Sequence, residues 1–192
     1  MSDRSPPLVT LVILLAGCAS VQEEEAQKAE LARVHLNEGI AYNKAGQHAE
    51  AVEAFDTAIE LHPTYALAFY QRGNAHFYLG QDLEALADYT EAMKLSPGFD
   101  RALFNRGETY RRMGRWKDSL KDLQDFHHAN PSDANALKRI GSLLHEHVPA
   151  KRYEALEFLR RYLNLVGHDE EVERWVAELE RDAAGSAPPP PP

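Results

Sequence analysis

The chain has 192 residues, 44% hydrophobic and 27% charged, an ordinary globular balance with length enough for a sizeable core. A formal net charge of -9 argues against the clustered positive surface that duplex nucleic acid requires, so no nucleic-acid partner is expected. The chain holds 1 cysteine, which excludes an internal disulfide and leaves packing to supply the stability.

The first feature in chain order is residues 8–16, LVTLVILLA. A bilayer-crossing helix needs about 20 apolar residues, so this run is too short to span and has the length of a signal-peptide apolar segment. Before it, MSDRSPP sets the terminal amine and Arg4 against Asp3. Small residues follow: Ala16 and Gly17, then Cys18, Ala19 and Ser20, and a polar stretch through Glu30. Leu15-Ala16-Gly17-Cys18 resembles the lipobox of bacterial lipoprotein precursors. The resemblance implies a diacylglyceryl group on the Cys18 thiol, removal of 1–17 as a signal peptide, and acylation of the new amine with a palmitate-type chain. One acyl chain gives marginal membrane binding, on the order of 10⁴ M⁻¹, whereas two or three hold a protein firmly. Ala19 and Ser20, in place of an Asp next to the cysteine, imply the outer membrane. Residues 18–31 are read as the lipidated N-terminus and the start of the first helix.

A fixed period governs the middle of the chain. Gly39, Gly73, Gly107 and Gly141 are 34 apart, as are Gly46, Gly80 and Gly114, and Pro63, Pro97 and Pro131. Ala51 and Ala85 continue to Ser119, Phe55 and Tyr89 to Leu123, Ala58 and Ala92 to Phe126. The first glycine set lies mid-helix, where glycine costs about 1 kcal/mol relative to alanine. That cost predicts a closely crossing partner helix, with Ala51 and Ala85 as the small residues opposite. Gly46, Gly80 and Gly114 fall where a first helix ends in a left-handed residue. The prolines stop each second helix, and Thr64, Asp100 and Asp133 are placed to cap the next.

The period and these residues resemble the tetratricopeptide repeat. The resemblance implies an all-α, right-handed solenoid of antiparallel helix pairs. Three regular repeats cover 32–65, 66–99 and 100–133. A degenerate fourth covers 134–166, where Val148 replaces the turn glycine and the turn is two residues longer. Residues 167–183 carry Val172, Trp175, Val176 and Leu179 on one face and are read as a capping helix. The closing stretch 184–192, AGSAPPPPP, has no apolar period and is read as a disordered, proline-rich tail.

Catalytic signals are weak. His127-His128 and His145/His147 lack metal-ligand spacing and are read as surface histidines. The glycines follow the repeat and form no phosphate loop, and Ser119 occupies a small packing position. No enzyme activity, cofactor or metal is expected. In this repeat family the first helices line a concave, peptide-binding surface. Helical spacing assigns to it Asn37 in the first unit, Tyr70, Asn74 and Phe77 in the second, Arg101, Phe104 and Asn105 in the third, and Lys138 and Arg139 in the fourth. Its asparagines suit an extended backbone, and positive charge gathers in the last two units. Some cytosolic co-chaperones of the family hold a C-terminal carboxylate with two Lys, two Asn and a further Lys or Arg. Asn74, Asn105 and Arg139 match three of those places, while Tyr70 and Asn135 depart from the lysines. Arg72 and Arg106 recur in many such repeats and are given no binding role.

Together these resemblances imply a lipid-anchored adaptor or assembly factor of the bacterial envelope, facing the periplasm and binding envelope proteins or peptides in its groove. Small lipoproteins of this architecture include pilotins of type IV pili and adaptors of peptidoglycan enzymes. The competing readings are a cytosolic co-chaperone-like adaptor without lipidation and an enzyme built on the helices.

Overall fold

The computed structural model describes the backbone of residues 8–185 and the side chains of 21–183. Among the described residues there are nine α-helices, one 3-10 turn and no strand. The helices are α1 (Leu8–Lys44), α2 (His48–Leu61), α3 (Ala66–Tyr78), α4 (Asp82–Leu95), α5 (Asp100–Arg112), α6 (Trp116–Ala129), α7 (Ala134–His147), α8 (Arg152–Val166) and α9 (Glu170–Gly185). Between α7 and α8 lies the 3-10 turn Pro149–Lys151. The chain divides into two compact units, 1–84 and 85–192.

The periodic residues do what their chemistry dictates. Gly46, Gly80 and Gly114 have φ of +78°, +76° and +73°, the left-handed region where a Cβ is strained. Each is followed by the hydrogen bond that closes a helix end: Gln47 N to Tyr42 O, Gln81 N to His76 O, and Arg115 N to Tyr110 O, all 2.9 Å. α2, α4 and α6 stop two residues before Pro63, Pro97 and Pro131, because a residue preceding proline is driven out of the helical region.

In the N-terminal unit α1 packs on α2 and α2 on α3. Their core holds Leu36, Ala51, Phe55, Ala58, Ala68 and Ala75, with Ile40, Val52 and Leu67 packed around it. α1 is a single helix, so the expected boundary between residues 17 and 18 falls inside it. Residues 1–7, the side chains of 8–20 (Cys18 among them) and the proline run 188–192 lie outside what the structure describes. Among the described residues no helix is long and apolar enough to cross a membrane.

In the C-terminal unit α5 packs on α6, α6 on α7, α7 on α8, and α8 on α9. Leu123, Ile140, Leu143, Leu144, Ala155, Leu156, Leu159, Val172 and Leu179 form its core. Burying each of these leucine or valine side chains stabilises by roughly 1.5–3 kcal/mol. α9 supplies Val172 and Leu179, covering the last helix pair as a cap must.

Two local expectations are corrected. The atoms nearest the mid-helix glycines belong to large residues, not to the alanines. Gly39 faces the Phe55 ring, Gly107 faces Leu123 and Gly141 faces Leu159. Ala51 is buried, but it is the bulk of Phe55 one turn later that fills the space the glycine vacates. The caps differ as well. Asp133 accepts from Ala136 N at 2.8 Å, as expected, but α3 and α5 begin after Tyr65 and Phe99, neither with a side-chain cap bond. Asp100 is already inside α5, and its carboxylate accepts from Asn130 Nδ2 at 3.2 Å, tying the start of α5 to the end of α6.

Candidate functional site

Each unit carries a hollow on the face of its first helices. In the N-terminal unit a shallow hollow of about 460 Å³ is lined by Ile40, Asn43, Lys44, Gly46, His48, Gln71, Asn74 and Tyr78. Its polar wall is internally bonded. Asn43 Nδ2 donates to the Gln71 carbonyl at 3.3 Å, and Asn43 Oδ1 lies 2.9 Å from His48 Nδ1. Asn74 Nδ2 donates to Gln71 Oε1 at 3.1 Å. His48 stacks on the Tyr78 ring at 4.8 Å, which keeps one edge of the hollow apolar.

In the C-terminal unit a cleft of about 340 Å³ lies against α5, α7 and α9. α5 and the turn after it give Arg111 and Gly114, and α6 opens with Trp116; α7 gives Lys138, Arg139, Ser142, Leu143, Glu146 and His147; α9 gives Glu171 and Trp175. Trp116 is stacked by His147 at 5.4 Å, and His145 lies tilted against Trp175 at 6.0 Å. Both tryptophans of the chain therefore line this one cleft.

The charges of the cleft are organised in two groups. Glu108, 14% exposed, receives Arg111 from within α5 at 3.2 Å and Arg139 from α7 at 3.1 Å. Lys138 is held by Asp169 at 2.8 Å and Glu171 at 3.3 Å and lies over the rings of Tyr162 and Trp175. Asp169 is central to that second group. Its Oδ2 accepts from Lys138 Nζ and Tyr162 OH, both at 2.8 Å, while Oδ1 accepts from the Glu171 and Val172 amides at 3.1 and 3.2 Å, capping α9. The Lys138 ammonium, aided by Tyr162 and the Val172 amide, holds the Asp169 carboxyl down at about 2. Asp169 in turn raises the Lys138 pKa.

Of the residues expected to line a groove, Asn74 lines the first hollow and Lys138 and Arg139 the second. Asn37, Tyr70, Phe77, Arg101, Phe104 and Asn105 line neither. Asn37 and Arg101 are exposed, whereas Phe104 leans on Phe126 at 5.1 Å and on the core of its unit. The expected positive field is largely balanced, because Lys138 meets two carboxylates and Arg111 and Arg139 share a third. Arg72 and Arg106 are structural: Arg72 pairs with Asp56 at 2.5 Å, and Arg106 grips buried Asp122 through two bonds of 2.7 and 3.0 Å. The histidines are not simply surface residues, since His48 and His147 stack on aromatic rings, His145 lies tilted against Trp175 and His127 meets Phe158 edge-on. Among the described residues no group of three His, Cys, Asp or Glu side chains is placed to hold a metal.

Sequence reasoning placed Glu108 and Arg111 on the groove face of the third repeat and missed Trp116 and Trp175. The signal for Trp175 was present. Arg139 to Trp175 is 36 residues, the offset that also relates Ser119 to Ala155 once the lengthened turn is included. On that register α9 is the first helix of a further pair as well as a cap.

Tetratricopeptide-repeat models match residues 39–80, 73–114 and 101–133. Residues 39–133 are thus similar to tetratricopeptide repeats. Solved structures share the fold. YrrB, a tetratricopeptide protein with an unusual peptide-binding site, is 18% identical over 79% of this chain and 77% of its own, with a TM-score of 0.70. MamA from Desulfovibrio magneticus RS-1 is 18% identical over 80% of this chain and 85% of its own, with a TM-score of 0.72. The tetratricopeptide domain of Arabidopsis OM64 is 25% identical over 60% of this chain and 96% of its own, with a TM-score of 0.59. No curated protein matches the chain.

Proposed function

We propose that this chain is an adaptor fixed to a membrane through lipid on Cys18, facing the periplasm from the outer membrane and holding segments of envelope proteins on its first-helix face. The observation that carries the binding half is the cleft between α5, α7 and α9. Two indoles offer apolar area there beside fixed charges, the combination that gives a peptide site affinity and orientation. The peptide-binding site of YrrB, on the same fold, supports the same use. The anchoring half rests on Leu15-Ala16-Gly17-Cys18 following a nine-residue apolar run.

In-cell photo-crosslinking tests the binding half. A crosslinking residue at Trp175, in the cleft, is expected to capture a defined envelope protein that the same residue at Lys121, exposed on the second-helix side, does not. Equal capture from Lys121 refutes a first-helix site. Membrane fractionation of wild type and Cys18→Ala tests the anchoring half. Two soluble, uncleaved proteins would favour the unlipidated adaptor.

A further inference from the structure

We infer that the outer face of α1, at the N-terminal end of the repeats, docks a basic amphipathic helix of a partner protein, laid where the second helix of a preceding repeat would lie. This surface is separate from the cleft, and the inference does not rest on the adaptor reading of the cleft or on the anchoring.

The 34-residue register identifies the face. Val34, Ala68, Ala102 and Ala136 hold one place in successive first helices, and Ala41, Ala75, Thr109 and Leu143 hold another. The later members of both columns are at most 2% exposed, whereas Val34 is 41% exposed and Ala41 is exposed as well. Leu31 repeats the contrast. It is 46% exposed, while Tyr65, 34 residues on, packs against the core of its unit. The preceding second helix is what buries the later members. Ala68 and Ala75 share a core with Phe55 and Ala58 of α2, and Leu143 shares one with Leu123 of α6. Each repeat buries its apolar surface only on its neighbours, so an end face is left open unless something covers it. α9 is that cover at the other end. Leu31, Val34, Glu38 and Ala41 are spaced by three and four residues, so they share one side of α1.

The charge on this face selects the occupant. Arg72 and Arg106 take the place of Glu38 in the next two repeats, and each reaches back 16 residues to the preceding second helix. Arg72 meets Asp56 at 2.5 Å, and Arg106 Nη1 donates to Thr90 Oγ1 at 3.2 Å. Glu38 reverses the sign at that place. Sixteen residues before it lies Gln22, still inside α1, so the described chain brings no second helix to meet it. The Glu38 side chain is 52% exposed, with Oε2 lying 2.9 Å from His35 Nδ1 one turn back. A carboxylate has room for further donors. A Lys or Arg on the incoming helix, at the place Asp56 holds in α2, meets Glu38 with opposite charge, and an acid there is repelled. A second copy brings its own Glu38 and a formal charge of -9, so like charge opposes it as the occupant. Val34 is larger than the alanines that follow it, so the incoming helix must be small where it crosses, as α2 is with Ala51, Ala54 and Ala58.

The probes derive from α2, the helix that covers the equivalent face of α3. Two fluorescein-labelled peptides span residues 47–62, both with the exposed Glu50, Glu53 and Glu60 changed to Gln; one keeps Asp56 and the other carries Asp56→Lys. Anisotropy is read as full-length protein is added. The Asp56→Lys peptide is expected to bind at least fivefold tighter than the Asp56 peptide, with the difference shrinking as salt rises. Glu38→Arg, which installs the residue of the next two repeats, is expected to invert the order. Val34→Gln is expected to weaken both peptides. Circular dichroism checks that Val34→Gln keeps its helicity, and Ala41→Gln repeats the test if it does not. Emission from Trp116 and Trp175, both in the cleft, is expected to stay unchanged. Equal affinities, no binding at submillimolar protein, an order that Glu38→Arg leaves as it was, or a shift in tryptophan emission overturns the proposal. A protein that sediments as a dimer, and as a monomer once it carries Val34→Gln, assigns the face to a second copy and overturns it too. Each of these outcomes leaves the adaptor reading to its own test, the crosslink from Trp175.

Discussion

At the scale of single residues, the mid-helix glycines differ in how much room they leave. A Cβ on Gly39 meets the buried Phe55 ring, with Cδ1 at 2.7 Å, and one on Gly141 meets Leu159 Cδ2 at 2.5 Å. A Cβ on Gly107 comes only to 3.1 Å from Leu123 Cγ. Alanine gains about 1 kcal/mol in helix propensity at all three, but overpacking a core costs about 1–3 kcal/mol. Gly39→Ala and Gly141→Ala are therefore expected to destabilise, while Gly107→Ala stays within about 1 kcal/mol of wild type. Urea unfolding checks the order; a Gly107→Ala worse than both others contradicts it. Arg106 is a second case. Asp122 is 4% exposed at its side chain and depends on the two Arg106 bonds. Arg106→Ala strands that carboxylate and is expected to cost about 3–5 kcal/mol, whereas Arg106→Met with Asp122→Leu recovers most of it. The recovery distinguishes loss of a partner from loss of packing. The glycine columns were legible in the sequence because a 34-residue period exposes them. Their packing partners were not, because the sequence names small residues nearby but cannot say which turn of the facing helix meets the glycine. Arg106 was visible as a recurring residue. Its partner was hidden in plain view, since Asp88 and Asp122 share the same spacing.

At the scale of an element, α9 depends on one carboxylate. Asp169 caps the helix with Oδ1 and holds Lys138 and Tyr162 with Oδ2, joining α7, α8 and α9. Asn caps as well as Asp, so Asp169→Asn keeps the cap and removes only the charge-assisted bonds, a loss of about 1–3 kcal/mol. The pH dependence has a definite sign. The folded pKa, about 2, lies below the ordinary 3.8, so the stabilisation is complete above about pH 4 and is lost as pH falls toward 2. Wild type is expected to loosen α9 in that window, read by Trp175 emission at matched denaturant. Asp169→Asn shows no such step there, and an identical acid profile for both proteins refutes the assignment. The existence of α9 was legible from its apolar face. Its second role was not, because the two extra residues in the turn before α8 shift the register. Lys138 and Asp169 are 31 apart, a distance no repeat period announces.

At the scale of the whole molecule, net charge and the lone thiol bear on the same question. A body with a formal charge of -9 is repelled by an anionic lipid surface, so electrostatics cannot hold it there. Among the described residues no helix is long and apolar enough to cross a bilayer. Under the proposed anchoring, attachment therefore falls to acyl chains on Cys18, and two or three such chains are insensitive to salt. Wild type is expected to stay with the membrane through a high-salt wash and to leave it with detergent. Cys18→Ala should be absent from the membrane even at low salt, where weak ionic contacts are strongest. The same substitution should leave the thermal midpoint of the helical body unchanged, with or without reductant, because the chain has no second cysteine to pair. Those two readouts separate anchoring from folding. A Cys18→Ala protein that keeps its midpoint yet still sediments with membranes would show that something other than the thiol holds it there, and the anchoring proposal would fail.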